Sequence, residues 1–165
     1  ELGHRQIGYF KSSRQINNLD ERYAGYLLIM NELGLPVPEP TQLATTLNGA
    51  YRDMKKLIES GQFKPQGAVV ADNDSIAIGA AKAIQEAGYN IPRDLSIIGV
   101  DDIPYSAVTT PALSTVRISR STLGTLAVEM LQRRVLHPDW PTVHVRIAGN
   151  LIQRASTHSL APKER

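Results

Sequence analysis

Residues 67–102 read GAVVADNDSIAIGAAKAIQEAGYNIPRDLSIIGVDD. Ala68-Val69-Val70-Ala71 is an apolar run too short for a helix, and residues 95–100 form a second such run between Arg93-Asp94 and Asp101-Asp102. Between the runs, Asp74 stands where a helix needs a cap, and Gly88 followed by Pro92 marks that helix's end. Continuous apolar strands alternating with a helix specify an α/β protein with a parallel sheet and helices on both faces. Every strand of such a sheet delivers its last residues to one edge, where ligands bind. The pattern therefore predicts that Asp72, Asn73, Asp101 and Asp102 share that edge.

Upstream, Gln6-Ile7-Gly8-Tyr9-Phe10 has the make-up of a first strand, which Lys11-Ser12-Ser13-Arg14 leaves at the same edge. A polar loop leads to a helix with Asp20 as its cap and Gly34 and Pro36 as its stop, carrying a stripe of Tyr23, Tyr26, Leu27, Met30 and Leu33. Arg22 then falls in the first turn. Peptide dipoles disfavour a cation there, so Arg22 is either a solvated arginine or one placed to donate to a ligand. Residues 42–46 read as a strand, and residues 50–60 as a helix that buries Tyr51, Met54, Leu57 and Ile58.

In the helix after Asp74, Ile76, Ala77, Ala80, Ala83, Ile84 and Ala87 face the sheet, while Ile78 and Ala81 lie nearly opposite. A helix apolar all round is covered on two sides, which predicts a subunit contact centred on Ile78. The competing reading is a single exposed isoleucine, a common occurrence. Beyond Asp102, residues 103–110 are irregular and residues 111–117 extended. Residues 121–135 form a helix capped by Ser121, with Leu123, Leu126, Ala127, Met130 and Leu131 on one stripe. Residues 137–141 make a linker, residues 143–147 alternate as a half-exposed strand does, and residues 151–154 suggest one more short strand.

The chain of 165 residues is long enough for one main core, and 42% hydrophobic with 21% charged residues is the make-up of a soluble globular protein. A net charge of +2 from scattered basic residues builds neither a nucleic-acid nor a membrane surface. Without cysteine there is no disulfide, thiolate chemistry or cysteine-held zinc, which suits the cytoplasm. No apolar run approaches the ~18 residues of a membrane span. Leu2-Gly3 resembles the last turn and stop of a helix, so the chain is expected to be part of a longer protein.

Asp72-x-Asp74 and Asp101-Asp102 at strand ends invite comparison with magnesium-dependent haloacid-dehalogenase-like phosphatases, whose strand-end carboxylates hold metal and attack phosphate. Asp74 is better used as a cap, however, and the lysine of that mechanism has no counterpart among Lys55, Lys56, Lys64 and Lys82. Neither Gly-x-Gly-x-x-Gly nor Gly-x-x-x-x-Gly-Lys-Ser/Thr occurs. His4, His137, His144 and His158 are far apart in sequence and read as surface or linker residues, and Ser12 and Ser75 have no neighbouring histidine to act as base. No metal, cofactor or catalytic residue is predicted. What remains is a binding site: carboxylates accept from hydroxyls, Asn73 both donates and accepts, and Arg22 donates in a fork. That mix suits a small polyhydroxylated or otherwise polar ligand.

The runs Ala71-Asp72-Asn73-Asp74, Ile97-Ile98-Gly99-Val100-Asp101-Asp102, Pro111-Ala112-Leu113-Ser114-Thr115-Val116-Arg117 and Leu151-Ile152-Gln153-Arg154-Ala155-Ser156 occur in this order. With Glu21-Arg22-Tyr23-Ala24-Gly25-Tyr26 ahead of them, they resemble the effector-binding region of LacI/GalR-family transcriptional regulators over nearly the whole chain. The resemblance implies a truncated periplasmic-binding-protein-like fold of type I, with two subdomains and a ligand in the cleft between them. On it, Arg22, Asn73 and Asp101 match effector contacts. Ser12 lies at the same edge; the segment 45–49 is shorter than the family's and has no match for the aromatic that often stacks on the effector, which leaves Thr45 or Thr46 as the candidate there. Ile78, Ala81, Thr109 and Pro111 match the dimer interface.

The resemblance further places residues 1–115 in the C-terminal subdomain and residues 116–140 in a segment crossing to the N-terminal one. Residues 141–165 then return as strand and tail, and the DNA-binding headpiece is absent. It implies a homodimer that meets operator DNA only through that headpiece, has no membrane partner and works in the cytoplasm. The helix at 121–135 would lose its usual neighbour and is expected to dock elsewhere, as across a dimer. Ile118 stands where the family commonly has a polar residue, which implies a less hydroxyl-rich ligand. A solute-binding protein of a transporter shares the fold and is the alternative.

Overall fold

The computed structural model describes residues 2–160. Their order is β1 (Ile7–Ser12), α1 (Asn17–Glu32), β2 (Thr41–Leu43), α2 (Leu47–Glu59), β3 (Ala68–Ala71), α3 (Asp74–Glu86), β4 (Ser96–Val100), α4 (Pro104–Val108), β5 (Ser114–Arg117), α5 (Arg120–Leu136) and β6 (Asn150–Ile152). The strands make one sheet in the order β2-β1-β3-β4-β5-β6. The first five run parallel, as the alternation of strands and helices requires.

β6 is the exception to the parallel order: it lies antiparallel to β5 with Arg117 opposite Asn150. The chain leaves the sheet at the C-terminal end of β5 and comes back from that same end, so the returning strand must run the other way.

Neighbouring side chains of β1 go to opposite faces. Phe10 joins Leu43, Val69, Ala71 and Ile97 beneath α2 and α3, where Met54, Ile76, Ala80 and Ile84 complete the main core. Tyr9 turns the other way, against Tyr23 and Tyr26 of α1 at ring-centroid distances of 5.0 Å each. The two-sided covering is thus present, with α1 on the second face. α2 and α3 approach closely because α3 presents Gly79 to α2; a Cβ there would stand 2.2 Å from the carbonyl oxygen of Leu47.

Several local expectations shift. α1 begins at Asn17, not after Asp20, because the Ile16 carbonyl already accepts from the Leu19 and Asp20 amides and Leu19 is buried against the core. Arg22 therefore lies in the second turn. Residues 103–110 contain the short helix α4, with Pro104 at its start, where a missing N–H costs nothing. Residues 143–147 form no strand, since no neighbouring strand stands beside them among the described residues. α5 buries none of its residues. Its Leu126 and Met130 line an open groove with Trp140, Val143 and Val145. Arg134 fastens that turn by donating to the carbonyls of Pro138 and Trp140 at 2.9 and 2.8 Å. His4 and His158, far apart in sequence, meet edge to face at 5.3 Å.

Candidate functional site

The C-terminal ends of β1, β3 and β4 form one edge, as the parallel register dictates. Asp72, the residue after β3, is wholly buried. Its Oδ1 accepts from the Tyr9 hydroxyl and its Oδ2 from the Ser12 amide, each at 2.6 Å. With both oxygens occupied, Asp72 braces β1 against β3 and is not free to hold metal or attack phosphate. Burial, and then the hydrogen bond to Asp72, push the Tyr9 hydroxyl far above its usual pKa, so it remains a donor.

Capping falls one residue earlier than the sequence suggests. Asn73 is the cap, its Oδ1 accepting from the Ile76 amide at 2.9 Å. Asp74 is the first residue of α3 and wholly buried. Its carboxylate accepts from the Ile103 amide at 2.9 Å, the Ser106 hydroxyl at 2.6 Å and the Thr115 hydroxyl at 2.6 Å. It lies against Gly99 of β4, where a Cβ would come within 2.2 Å of Asp74 Oδ1. The cap role proposed for Asp74 is thus corrected, and the side chain instead ties α3 to α4 and β5. The Asn73 amide nitrogen has no protein hydrogen-bond partner among the described residues.

Arg22 reaches across from α1. Its Nη1 donates to the carbonyl of Asp72 at 2.5 Å and its Nη2 to Asp101 Oδ1 at 3.4 Å. Asp101 follows β4 with φ 112°, and Asp102 follows it with φ 49°, both in the left-handed region that aspartate enters more readily than most residues. Burial lifts the Asp101 carboxyl above the usual carboxylate range, with the Arg22 charge opposing and the Asp74 charge adding. Ser12 is buried and its hydroxyl lies 2.9 Å from that of Thr45, which follows β2.

Arg22, Asp101, Ser12 and Thr45 are thus linked by hydrogen bonds through Asp72 across four strand ends, and Asn73 adjoins them as the residue after Asp72. Asp102, expected beside them, turns away to Arg117 and Arg154. Arg120 is an addition that sequence reasoning missed: its Nη2 donates to the carbonyls of Asp101 and Asp102. Its place just ahead of the predicted helix and shortly after the strand-end acids was the available signal.

On the far side of α3, Ile78, Ala81, Thr109 and Pro111 line one groove together with Lys82 and Gln85. Gln85 Nε2 closes its rim on the Thr110 carbonyl at 2.8 Å. Ile78 is half-buried, packed at the margin of the core.

The profile of the periplasmic binding protein-like domain family matches residues 1–157. The chain belongs to that family. This periplasmic binding protein-like chain is 30% identical over 158 residues to the ribose operon repressor of Escherichia coli strain K12, across 94% of its own length and 47% of the repressor's. It is 32% identical over 158 residues to the HTH-type transcriptional repressor PurR of Klebsiella pneumoniae strain 342, across 94% and 46%. Among solved structures it is similar to a LacI family transcriptional regulator from Enterococcus faecium with bound ribose, with a TM-score of 0.80 at 26% identity, covering 97% of this chain and 59% of that one.

The chain spans about half the length of these curated relatives. Both are transcriptional repressors, a class without enzymatic activity. The phosphatase reading therefore falls on two counts, the relatives and the occupied carboxylate of Asp72. The LacI/GalR resemblance is the one these relatives share. No helix among the described residues is long and apolar enough to cross a membrane.

Proposed function

We propose that the chain is the effector-sensing part of a bacterial transcription repressor that binds a sugar or another small polar ligand in a cleft between two subdomains. One observation carries this reading: the Arg22 guanidinium is suspended between the Asp72 carbonyl and the Asp101 carboxylate at the strand-end edge. The guanidinium keeps further N–H donors for a ligand, the Asp101 carboxylate and the Ser12 and Thr45 hydroxyls accept, and the Asn73 amide donates. A repressor of a ribose operon among the relatives and bound ribose in a structural neighbour support a sugar as ligand.

On this reading residues 1–115 form the C-terminal subdomain, residues 116–140 cross to the other subdomain, and residues 141–165 return. Ile118, at the crossing, takes the place of a polar group and favours a ligand with one hydroxyl fewer on that side. Two copies pair through the groove of Ile78, Ala81, Thr109 and Pro111. The protein works in the cytoplasm, and a headpiece outside these residues binds the operator. Ligand then acts by favouring one subdomain orientation, and its differential affinity for the two orientations alters operator binding.

Thermal-shift titration of the full-length protein against pentoses, hexoses and purine bases tests the reading. One class should raise the melting temperature by about 5 °C or more at saturation, and Arg22→Ala should remove that rise. Absence of stabilisation by every class, or an unchanged shift in Arg22→Ala, sinks it.

A further inference from the structure

Asp101 and Asp102 are chemically identical neighbours with opposite surroundings. The Asp101 side chain is 37% exposed and opens to the strand-end edge, whereas that of Asp102 is 9% exposed. Asp102 Oδ1 accepts from Arg154 Nη2 and its Oδ2 from Arg117 Nε, each at 2.6 Å. The two arginines belong to the strands by which the chain leaves and re-enters the sheet, one at each end of β5: Arg117 at the strand-end edge and Arg154 beside Leu113 and Ser114 at the opposite end. Arg117 is the last residue of β5, from which the chain departs for α5, and Arg154 closely follows β6, by which it comes back. Arg154 also donates from Nη1 to the Leu113 carbonyl at 2.7 Å, just ahead of β5. Arg120, in the first turn of α5, donates to the carbonyls of Asp101 and Asp102 at 3.0 and 3.2 Å. The Asp101 amide donates to the Val116 carbonyl at 2.9 Å. The left-handed turn at Asp101 and Asp102 is therefore fastened to β5, to the start of α5 and to the segment that follows β6.

We propose that Asp102 is the positioning residue of this site: clamped by Arg117 and Arg154, it holds the turn that aims Asp101 at Arg22 and couples that turn to the two strands by which the chain leaves and re-enters the sheet. The assignment of Asp101 as a ligand contact rests on the function proposed above, while the clamp is a property of this chain alone. Charge-assisted bonds to a carboxylate are short and strong, and the two arms differ in shielding. The Arg154 side chain is 18% exposed and its arm is weakly screened, whereas Arg117 is 54% exposed and its arm weakens with salt. Burial raises the Asp102 carboxyl, but the hydrogen bonds and charges of Arg154 and Arg117 outweigh it and hold the group below the usual carboxylate range. Asp102 thus stays charged where Asp101 is destabilised as an anion.

Amide hydrogen exchange on the 165-residue chain, without ligand, tests the clamp. In Asp102→Asn, which keeps the shape and removes the charge, the amides of Asn150–Ile152 and of residues 101–103 should exchange at least about tenfold faster, while those of Ala68–Ala71 stay within about twofold. Arg117→Ala, an exposed position, should give a smaller acceleration at the same peptides, and about 0.5 M salt should reproduce the Arg117→Ala effect but not the Asp102→Asn effect. Unchanged exchange in Asp102→Asn overturns the proposal, as does uniform acceleration that includes Ala68–Ala71, the mark of a merely structural residue. Should Asp102→Asn fail to fold, Arg117→Ala decides alone: faster exchange at Asn150–Ile152 supports the clamp and unchanged exchange there overturns it. Failure of ligand binding with the local exchange pattern intact would count against the proposed function and not against the clamp.

Discussion

Asp74 is wholly buried and accepts from Ile103, Ser106 and Thr115. Removing its carboxylate strands those three donors in the interior, at about 1–3 kcal/mol for each unsatisfied group. Asp74→Ala should therefore cost on the order of 3–5 kcal/mol, read as a fall in the urea midpoint at constant slope. Asp101 and Asp102 make opposite contributions with pH. The folded-state pKa of Asp101 is raised, so its ionised form subtracts from stability above that value and the subtraction vanishes below the unfolded value near pH 3.9. That of Asp102 is lowered, so its contribution is present above the unfolded value and lost as pH falls through the folded one.

Urea denaturation at pH 7 should show Asp101→Asn slightly more stable than the parent, by less than about 1 kcal/mol because the carboxylate is 37% exposed and screened. Asp102→Asn should be less stable at pH 7, with the gap closing as pH falls through and below the usual carboxylate range. The cluster at this edge was legible in the sequence because parallel strands end together. The division of labour was not. Asn73 and Asp74 are both good caps, and only the space left by Gly99 in β4 decides that Asp74 turns inward.

At the scale of elements, short apolar runs bounded by turn residues located β1, β3 and β4, and the spacing of Ile76, Ala80 and Ile84 oriented α3. Boundaries set by tertiary contact were hidden: α1 starts at Asn17 because Leu19 finds a buried place, a fact that no local signal carries. The alternating residues 143–147 show the converse, since pattern supplies one half of a strand and a hydrogen-bonded neighbour the other. The contact between α2 and α3 offers a direct check. A Cβ at Gly79 would meet the Leu47 carbonyl at 2.2 Å and the Tyr51 amide nitrogen at 3.0 Å, both backbone atoms. Gly79→Ala should push the helices apart and cost roughly 1–3 kcal/mol by denaturant titration, despite alanine's better helix propensity.

For the whole molecule, Ile78, Ala81, Thr109 and Pro111 are far apart in sequence yet line one groove. A guanidinium placed in that groove by Ile78→Arg would be buried unpaired on association. Ile78→Arg should therefore convert a dimer to a monomer in sedimentation equilibrium while leaving the far-UV spectrum intact; an unchanged mass would remove the groove as the contact. The sheet carries a different kind of consequence. Because β6 runs back along β5 with Arg117 facing Asn150, the whole of residues 118–149 is an excursion whose two ends are adjacent. Such an excursion is modular: replacing it with a two-residue Asn-Gly hairpin turn should leave the six-stranded sheet and its edge standing as a miniature domain. Retained cooperative unfolding in that shortened chain would show that the α5 arm is cargo carried by the fold and not part of its foundation.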